Sequence, residues 1–190
     1  MTSITDTPTL KAWKNIDPET HNANLYFRAT MEMPLEHAIG MLEDMKLREK
    51  WDDGFYGFEQ VEDLSTEEEP LKDVIYWKVK MPMFVTDRDF LVKRLKMTDY
   101  EGWDVIYCTN SVEHEKKPVD KAYVRGTFDN AFTFLKKNGE DKTDLEILWT
   151  IDPKGMIPKM VYNTIANGIP KRAINDLVKG YEKFKDEKFK

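Results

Sequence analysis

Ile151-Asp152-Pro153-Lys154-Gly155-Met156-Ile157-Pro158-Lys159-Met160-Val161-Tyr162-Asn163 opens a stretch that runs on through Leu177 and Tyr181 to Phe184. A strand ends at Asp152, Pro153 and Gly155 make a turn, and Pro158 stands where the first helical turn tolerates a missing N–H. Apolar residues then recur at helical spacing: Ile157, Met160, Val161 and Ile165, with Thr164 among them. After an interruption the pattern resumes with Ile169, Ala173, Ile174, Leu177, Val178, Tyr181 and Phe184. At ~1.5 Å per residue this helix is on the order of 40 Å long, enough to lie across a whole sheet. Its apolar stripe needs a cover, and nearly all of the preceding chain reads as strand.

Working back from the helix, Thr143 to Ile151 alternates Leu145, Ile147, Trp149 and Ile151 against Glu146, Leu148 and Thr150. The Asn138-Gly139 hairpin turn precedes it. Lys121 to Leu135 reads as one long strand bent at Gly126. Trp103 to Asn110, Arg88 to Thr98, Leu71 to Lys80, Gly54 to Leu64 and Asn24 to Met33 are further strands. Leu10 to Ile16 is an edge strand after a frayed start over residues 1–9. Pro34 to Leu47 is the one early helix, with Leu35, Ala38, Ile39, Leu42 and Met45 on one face. Strands joined by short turns pair antiparallel. A run of them closed by a long helix predicts an α+β fold in which a curved antiparallel sheet grips that helix and leaves a tunnel between the two.

The length of 190 residues suits a single domain with one sizeable core. With 29 basic and 35 acidic residues the net charge is −6, which argues against non-specific nucleic-acid binding. Cys108 is the only cysteine, so no internal disulfide forms and a reducing compartment is favoured. No apolar run approaches the ~20 residues of a membrane span. Position 2 is threonine and no cysteine ends the chain, so no lipid anchor is expected. The expectation is a soluble, cytoplasmic monomer.

Several motifs follow one another along the chain: Arg48…Trp51-Asp52 at a helix exit, Arg88-Asp89-Phe90 entering a strand, and Ser111…His114…Pro118 before Tyr123-Val124-Arg125-Gly126. Asp152-Pro153-Lys154-Gly155-Met156-Ile157-Pro158 turns into the last helix, and Asn167-Gly168-Ile169-Pro170 lies within it. In this order and spacing, from Pro34 to Tyr181, the chain resembles the START domain, the lipid-transfer family related to steroidogenic acute regulatory protein. It is most similar to the branch that includes phosphatidylcholine transfer protein. The residues before Asn24 leave little room for the extra N-terminal helix of many members. The resemblance implies one START-like, lipid-binding domain over residues 1–190 with a helix-grip fold. One lipid sits in an internal tunnel, and the last helix and the loop before Tyr123 form the gate. It implies no reaction and no cofactor.

The residues themselves offer little for catalysis. His21, His37 and His114 lie in different elements, Cys108 has no basic partner, and no metal spacing joins it to a histidine. A backbone-bonded loop histidine is the plainer reading of His114, and local salt bridging that of Asp87 and Asp89. For lipid binding, Phe90, Val92, Arg94 and Lys96 share one face of their strand, and Leu91, Lys93, Leu95 and Met97 the other. Both faces are mixed. The resemblance turns Phe90 and Arg94 inward. An arginine inside an apolar tunnel needs an anion. In sterol-binding members a carboxylate on the neighbouring strand supplies it; here Val74 to Lys80 has no acid. That reading favours a phospholipid whose phosphodiester meets Arg94, the competing partner being an acid elsewhere such as Asp104. Lys96 matches a phosphate contact of the phosphatidylcholine branch, or is an exposed strand-end lysine. Trp103, Tyr107, Tyr123 and Trp149 could hold a choline headgroup or simply pack. Trp51 reads as packing and Arg125 as half of a structural ion pair. Met160, Thr164 and Ile174 are candidate tunnel contacts on the helix. Asn167, Gly168 and Pro170 are either a fixed kink or a hinge for lipid entry. Lys116 and Lys117 could touch a membrane surface or simply face solvent. A lipid sensor that shuttles nothing and an enzyme on the same scaffold, such as a cyclase, are the competing classes.

Overall fold

The computed structural model describes residues 1–19, 23–82 and 84–189. In chain order the elements are β1 (Thr2–Asp6), β2 (Leu10–Ile16), β3 (Ala23–Met31), α1 (Leu35–Glu43), α2 (Met45–Arg48), β4 (Phe55–Asp63), β5 (Lys72–Val79) and β6 (Arg88–Tyr100). They continue with β7 (Trp103–Ser111), β8 (Val124–Arg125), β9 (Thr127–Phe128), β10 (Ala131–Lys137), β11 (Thr143–Asp152) and α3 (Lys159–Lys188). The strands form one sheet in the order β1-β2-β3-β11-β10-β7-β6-β5-β4, with β8 beside β6 and β9 beside β11. All pairings are antiparallel except the short β6–β8 contact.

Side-chain alternation explains which face is inward. In β3, Leu25, Phe27, Ala29 and Met31 are buried while Arg28 and Thr30 face solvent. In β11, Leu145 and Ile147 point the same way. The inner face packs on α1 and on the second half of α3 through a cluster that includes Phe27, Met41, Leu135, Leu177 and Tyr181. The first half of α3 meets β3 through Tyr162 and Ala166 against Ala23 and Leu25. The mixed faces of β5 and β6 have a separate cause. Val74, Tyr76 and Leu91 are buried on the outer side with Val61, Leu64 and Val112, so both faces of the sheet are covered there.

Three local expectations change. The first residues do not fray: β1 pairs with Lys11 to Lys14, which puts β2 inside the sheet. Residues 34–47 are two helices, divided where Asp44 leaves helical geometry and its carboxylate accepts the Leu47 N–H as cap of α2 (2.9 Å). The strand expected from Lys121 to Leu135 is broken into β8, β9 and β10. Gly126 sits in the first break, where a β-carbon would lie 2.5 Å from the Phe90 ring. As expected, α3 runs as one 30-residue helix, with Pro170 inside it, about 45 Å at ~1.5 Å per residue. Among the described residues no helix is long and apolar enough to cross a membrane.

Candidate functional site

Sheet and helix do not close on each other. Between them lies a cavity of about 720 Å³. Its walls come from the inward faces of β5, β6, β7, β10 and β11, from the α2 end, and from α3 residues Ile165, Ile169, Ile174 and Leu177. Asp53, Lys80, Pro82, Thr164, Gly168 and Arg172 line it and are solvent-exposed, which marks its opening between the loops after α2 and β5 and the middle of α3. Gly168 leaves open space beside the helix, where an added β-carbon would meet no atom within 4 Å.

Aromatic rings form one wall. Trp77 and Phe90 stack at 5.6 Å, Phe90 and Phe128 lie at 4.9 Å, and Phe128 meets Trp149 edge-on at 5.9 Å. Arg48 projects from the end of α2 with its guanidinium 4.6 Å from the centre of the Phe55 ring. It donates through Nε and Nη2 to a single oxygen, Asp52 Oδ2, at 3.1 and 3.0 Å. Its Nη1 has no bond to a protein atom among the described residues. Farther along the cavity Arg94 is met by Asp73: Nε to Oδ1 at 2.9 Å and Nη2 to Oδ2 at 2.7 Å, both side chains nearly inaccessible. Beside it the Tyr107 hydroxyl donates to Glu43 Oε1 (2.7 Å), which also pairs with Lys96 (2.7 Å). Burial, and after it the Glu43 charge, push the Tyr107 phenol up, so it stays a donor. Among the described residues no three acidic, histidine or cysteine side chains gather as metal ligands.

A START domain model matches residues 13–187. The chain belongs to the START domain family. START domain-containing protein 10 of Homo sapiens is 26% identical over 159 residues, covering 84% of this chain and 53% of that protein. Phosphatidylcholine transfer protein of Bos taurus is 26% identical over 145 residues, covering 75% of this chain and 65% of that protein. The chain thus spans about half the length of the first of these relatives. The crystal structure of human STARD10 superimposes with a TM-score of 0.85 at 21% identity, over 97% of this chain and 74% of that one.

Within this START fold the expected site residues divide. Phe90, Arg94, Tyr107, Trp149, Thr164, Ile174 and Gly168 line the cavity. Val92 shares the face of Phe90 but is enclosed by Ile75 and Trp77. Lys96 is neither a cavity contact nor a free lysine, being held by Glu43. Trp103 turns to the far side of the sheet, against Phe134 at 5.2 Å. Tyr123 stands outside under Lys78, whose ammonium is 4.5 Å from its ring centre. Met160 and Asn167 face solvent, and Pro170 is buried without lining the cavity. The loop before Tyr123 contributes no lining residue; Met81, Pro82, Pro153 and Ile157 do instead. His21 lies outside the described residues. His114 accepts the Lys116 N–H and faces Glu62, and Arg125 pairs with Asp89. Asp87 accepts hydrogen bonds from the Tyr56 hydroxyl and the Met81 N–H and, among the described residues, forms no close ion pair.

The largest correction concerns Arg94. Its partner is neither Asp104 nor a ligand but Asp73, one residue before the segment read as lacking acids. Antiparallel register places Asp73 directly opposite Arg94. The residues missed in sequence are Arg48, Trp77 and Phe128. Arg48 stood in a recognised motif, and the stripe Ile75, Trp77, Val79 signalled an inward face. For Phe128, inside an expected continuous strand, no local signal existed.

Proposed function

We propose that this START domain binds one lipid in the cavity and carries it between membranes, as a cytoplasmic monomer that catalyses no reaction. One observation carries the reading: an apolar cavity with a cation and an aromatic wall at one end. Each buried CH₂ of an acyl chain contributes about 0.8 kcal/mol, so the apolar walls supply most of the affinity. The headgroup contacts then select among lipids. A phospholipid fits the Arg48 end: a phosphate would meet the guanidinium bonded to only one carboxylate oxygen. A quaternary ammonium would lie against Trp77, Phe90 and Phe128. Similarity to a phosphatidylcholine transfer protein supports the same choice. A second reading, a sterol held without shuttling, is favoured by the Arg94–Asp73 pair, which leaves that end with no charge to be neutralised.

Native mass spectrometry of the purified chain tests this. The expected result is a co-purifying phospholipid, with Arg48→Gln lowering its occupancy about tenfold or more, the scale of one charge-assisted hydrogen bond. A sterol adduct indifferent to Arg48 would select the second reading, and a chain that ignores every lipid would end both. Vesicle-to-vesicle transfer separates a carrier from a sensor, since a sensor binds lipid and moves none.

A further inference from the structure

The outer face of the sheet, across from the cavity, carries a row of apolar side chains that no helix covers. Antiparallel register sets Trp13, Tyr26, Leu148, Phe132, Cys108 and Leu95 directly opposite one another, one each from β2, β3, β11, β10, β7 and β6. At ~4.8 Å between strands the row is about 24 Å long. Trp13 and Tyr26 stack at 5.3 Å, and Phe132 stacks on Phe134 at 5.9 Å, which widens the row on β10. Leu148, near its middle, is 36% exposed, and the other five are half-buried. None of the six belongs to the apolar clusters through which α1, α2 and α3 pack on the inner face. A contiguous apolar stripe left open on a folded chain marks an interaction surface.

Charge along the row decides what fits it. Register puts Lys11, Arg28 and Lys136 on one side and the neutral Asn15, Asn24 and Thr150 on the other. Arg28 and Lys136 are exposed and, among the described residues, form no close ion pair. The acids beside them are bonded within the face. Glu146 accepts the Tyr26 hydroxyl (2.8 Å), and Asp144 accepts the Thr30 hydroxyl (2.6 Å) and the Asn138 amide (3.1 Å). A groove of about 410 Å³ opens here against Trp103, Arg28 and Lys136, with Asp144 and Glu146 also lining it. A carboxylate entering it would meet the two unpaired cations. We propose that this face docks an amphipathic helix of a partner protein, its apolar stripe on the row and its acidic edge over Arg28 and Lys136. A helix fits because every strand beneath the row is paired on both sides, which leaves no backbone edge for an added strand. A helix brings its own backbone bonds, and about 16 residues span the row at ~1.5 Å each. A second copy of the chain is disfavoured, since it would bring unpaired cations and bonded acids to the same face. The site lies across the sheet from the cavity, so it stands whatever the cavity holds.

The test is selection of displayed random 16-residue peptides on the whole chain, followed by fluorescence-anisotropy titration of the enriched peptides. They are expected to carry apolar residues at i, i+3, i+4 and i+7 with Asp or Glu along one edge. Two variants place the binding: Leu148→Arg and Arg28→Glu/Lys136→Glu, all three at exposed positions, with thermal unfolding as the check on folding. Each is expected to weaken the peptides about tenfold or more. Exchanging the acids of a peptide for lysines should restore binding to the charge-reversed variant and not to the parent chain. Enriched peptides indifferent to both variants, or a selection that enriches none, would overturn the proposal. A parent chain that sediments as a dimer and becomes monomeric with Leu148→Arg would overturn it in favour of a second copy. Association with phosphatidylcholine vesicles that Leu148→Arg abolishes would overturn it in favour of a membrane.

Discussion

Two arginines that line the cavity reach different fates because of what stands beside them. Arg94 lies across from Asp73 and forms two parallel hydrogen bonds to it, whereas Arg48 shares one oxygen of Asp52 at the exit of a short helix. A buried pair is fragile to the loss of one member, because the other is left as an unpaired charge. Arg94→Leu is therefore expected to lower unfolding stability by about 3–5 kcal/mol in urea titrations, with Asp73→Leu in addition restoring much of it. Restoration is the diagnostic, since loss of packing alone would not be repaired. Asp176 on α3 offers a second residue-level test. Burial, and then the nearby Asp52 charge, raise its carboxyl above the ordinary value. A raised acid binds its proton more tightly in the folded state. Its contribution is present below the unfolded value of ~3.9 and is lost as pH rises through the folded one. Asp176→Asn should consequently raise the melting temperature at pH 7, the gain shrinking as pH falls through the raised folded value and vanishing below ~3.9; a gain independent of pH would reject the assignment.

Among the elements, α3 shows how a helix can be both spacer and wall. Its apolar stripe was visible in the sequence because a long amphipathic period survives one proline. Pro170 removes one N–H, the one that would have served the Ala166 carbonyl, and the remaining turns on both sides hold their own bonds. At the far end the helix approaches Trp51 so closely that a β-carbon on Gly180 would lie 2.5 Å from the Trp51 ring. Gly180→Ala gains helix propensity of about 1 kcal/mol but forces the tryptophan to move. The expected net effect is destabilisation of about 1–3 kcal/mol, as for an overpacked core, measured by thermal or urea unfolding. A stabilised Gly180→Ala protein would mean that Trp51 has room to yield. The β8–β9–β10 series carries the opposite lesson. Its breaks come from the close pass of Gly126 over Phe90, a contact between residues 36 positions apart that no local pattern announces.

Taken whole, the molecule is an acidic chain that folds a highly paired sheet around a long helix and leaves an apolar space of about 720 Å³ between them. The START resemblance came from motifs in their order along the chain; sequence patterning was enough for the α+β class, the antiparallel order of short-turn strands and the long last helix. These rest on periods of 2 and 3.6 residues and on turn chemistry, which act over short distances along the chain. Patterning and that resemblance together also placed Phe90, Arg94, Tyr107, Trp149 and Ile174 on faces that line the cavity, because alternation propagates along a strand. Folding in three dimensions was needed to show that Asp73 saturates Arg94, that Glu43 holds Lys96 and that Trp103 and Tyr123 turn away. The same holds for Arg48 near the Trp77–Phe90–Phe128 wall, and for the opening between the loops after α2 and β5 and the middle of α3. Each of these depends on strand register, where a shift of one residue reverses every side chain, and on sheet curvature, which brings together groups distant along the chain. Both are set by the packing of the entire core.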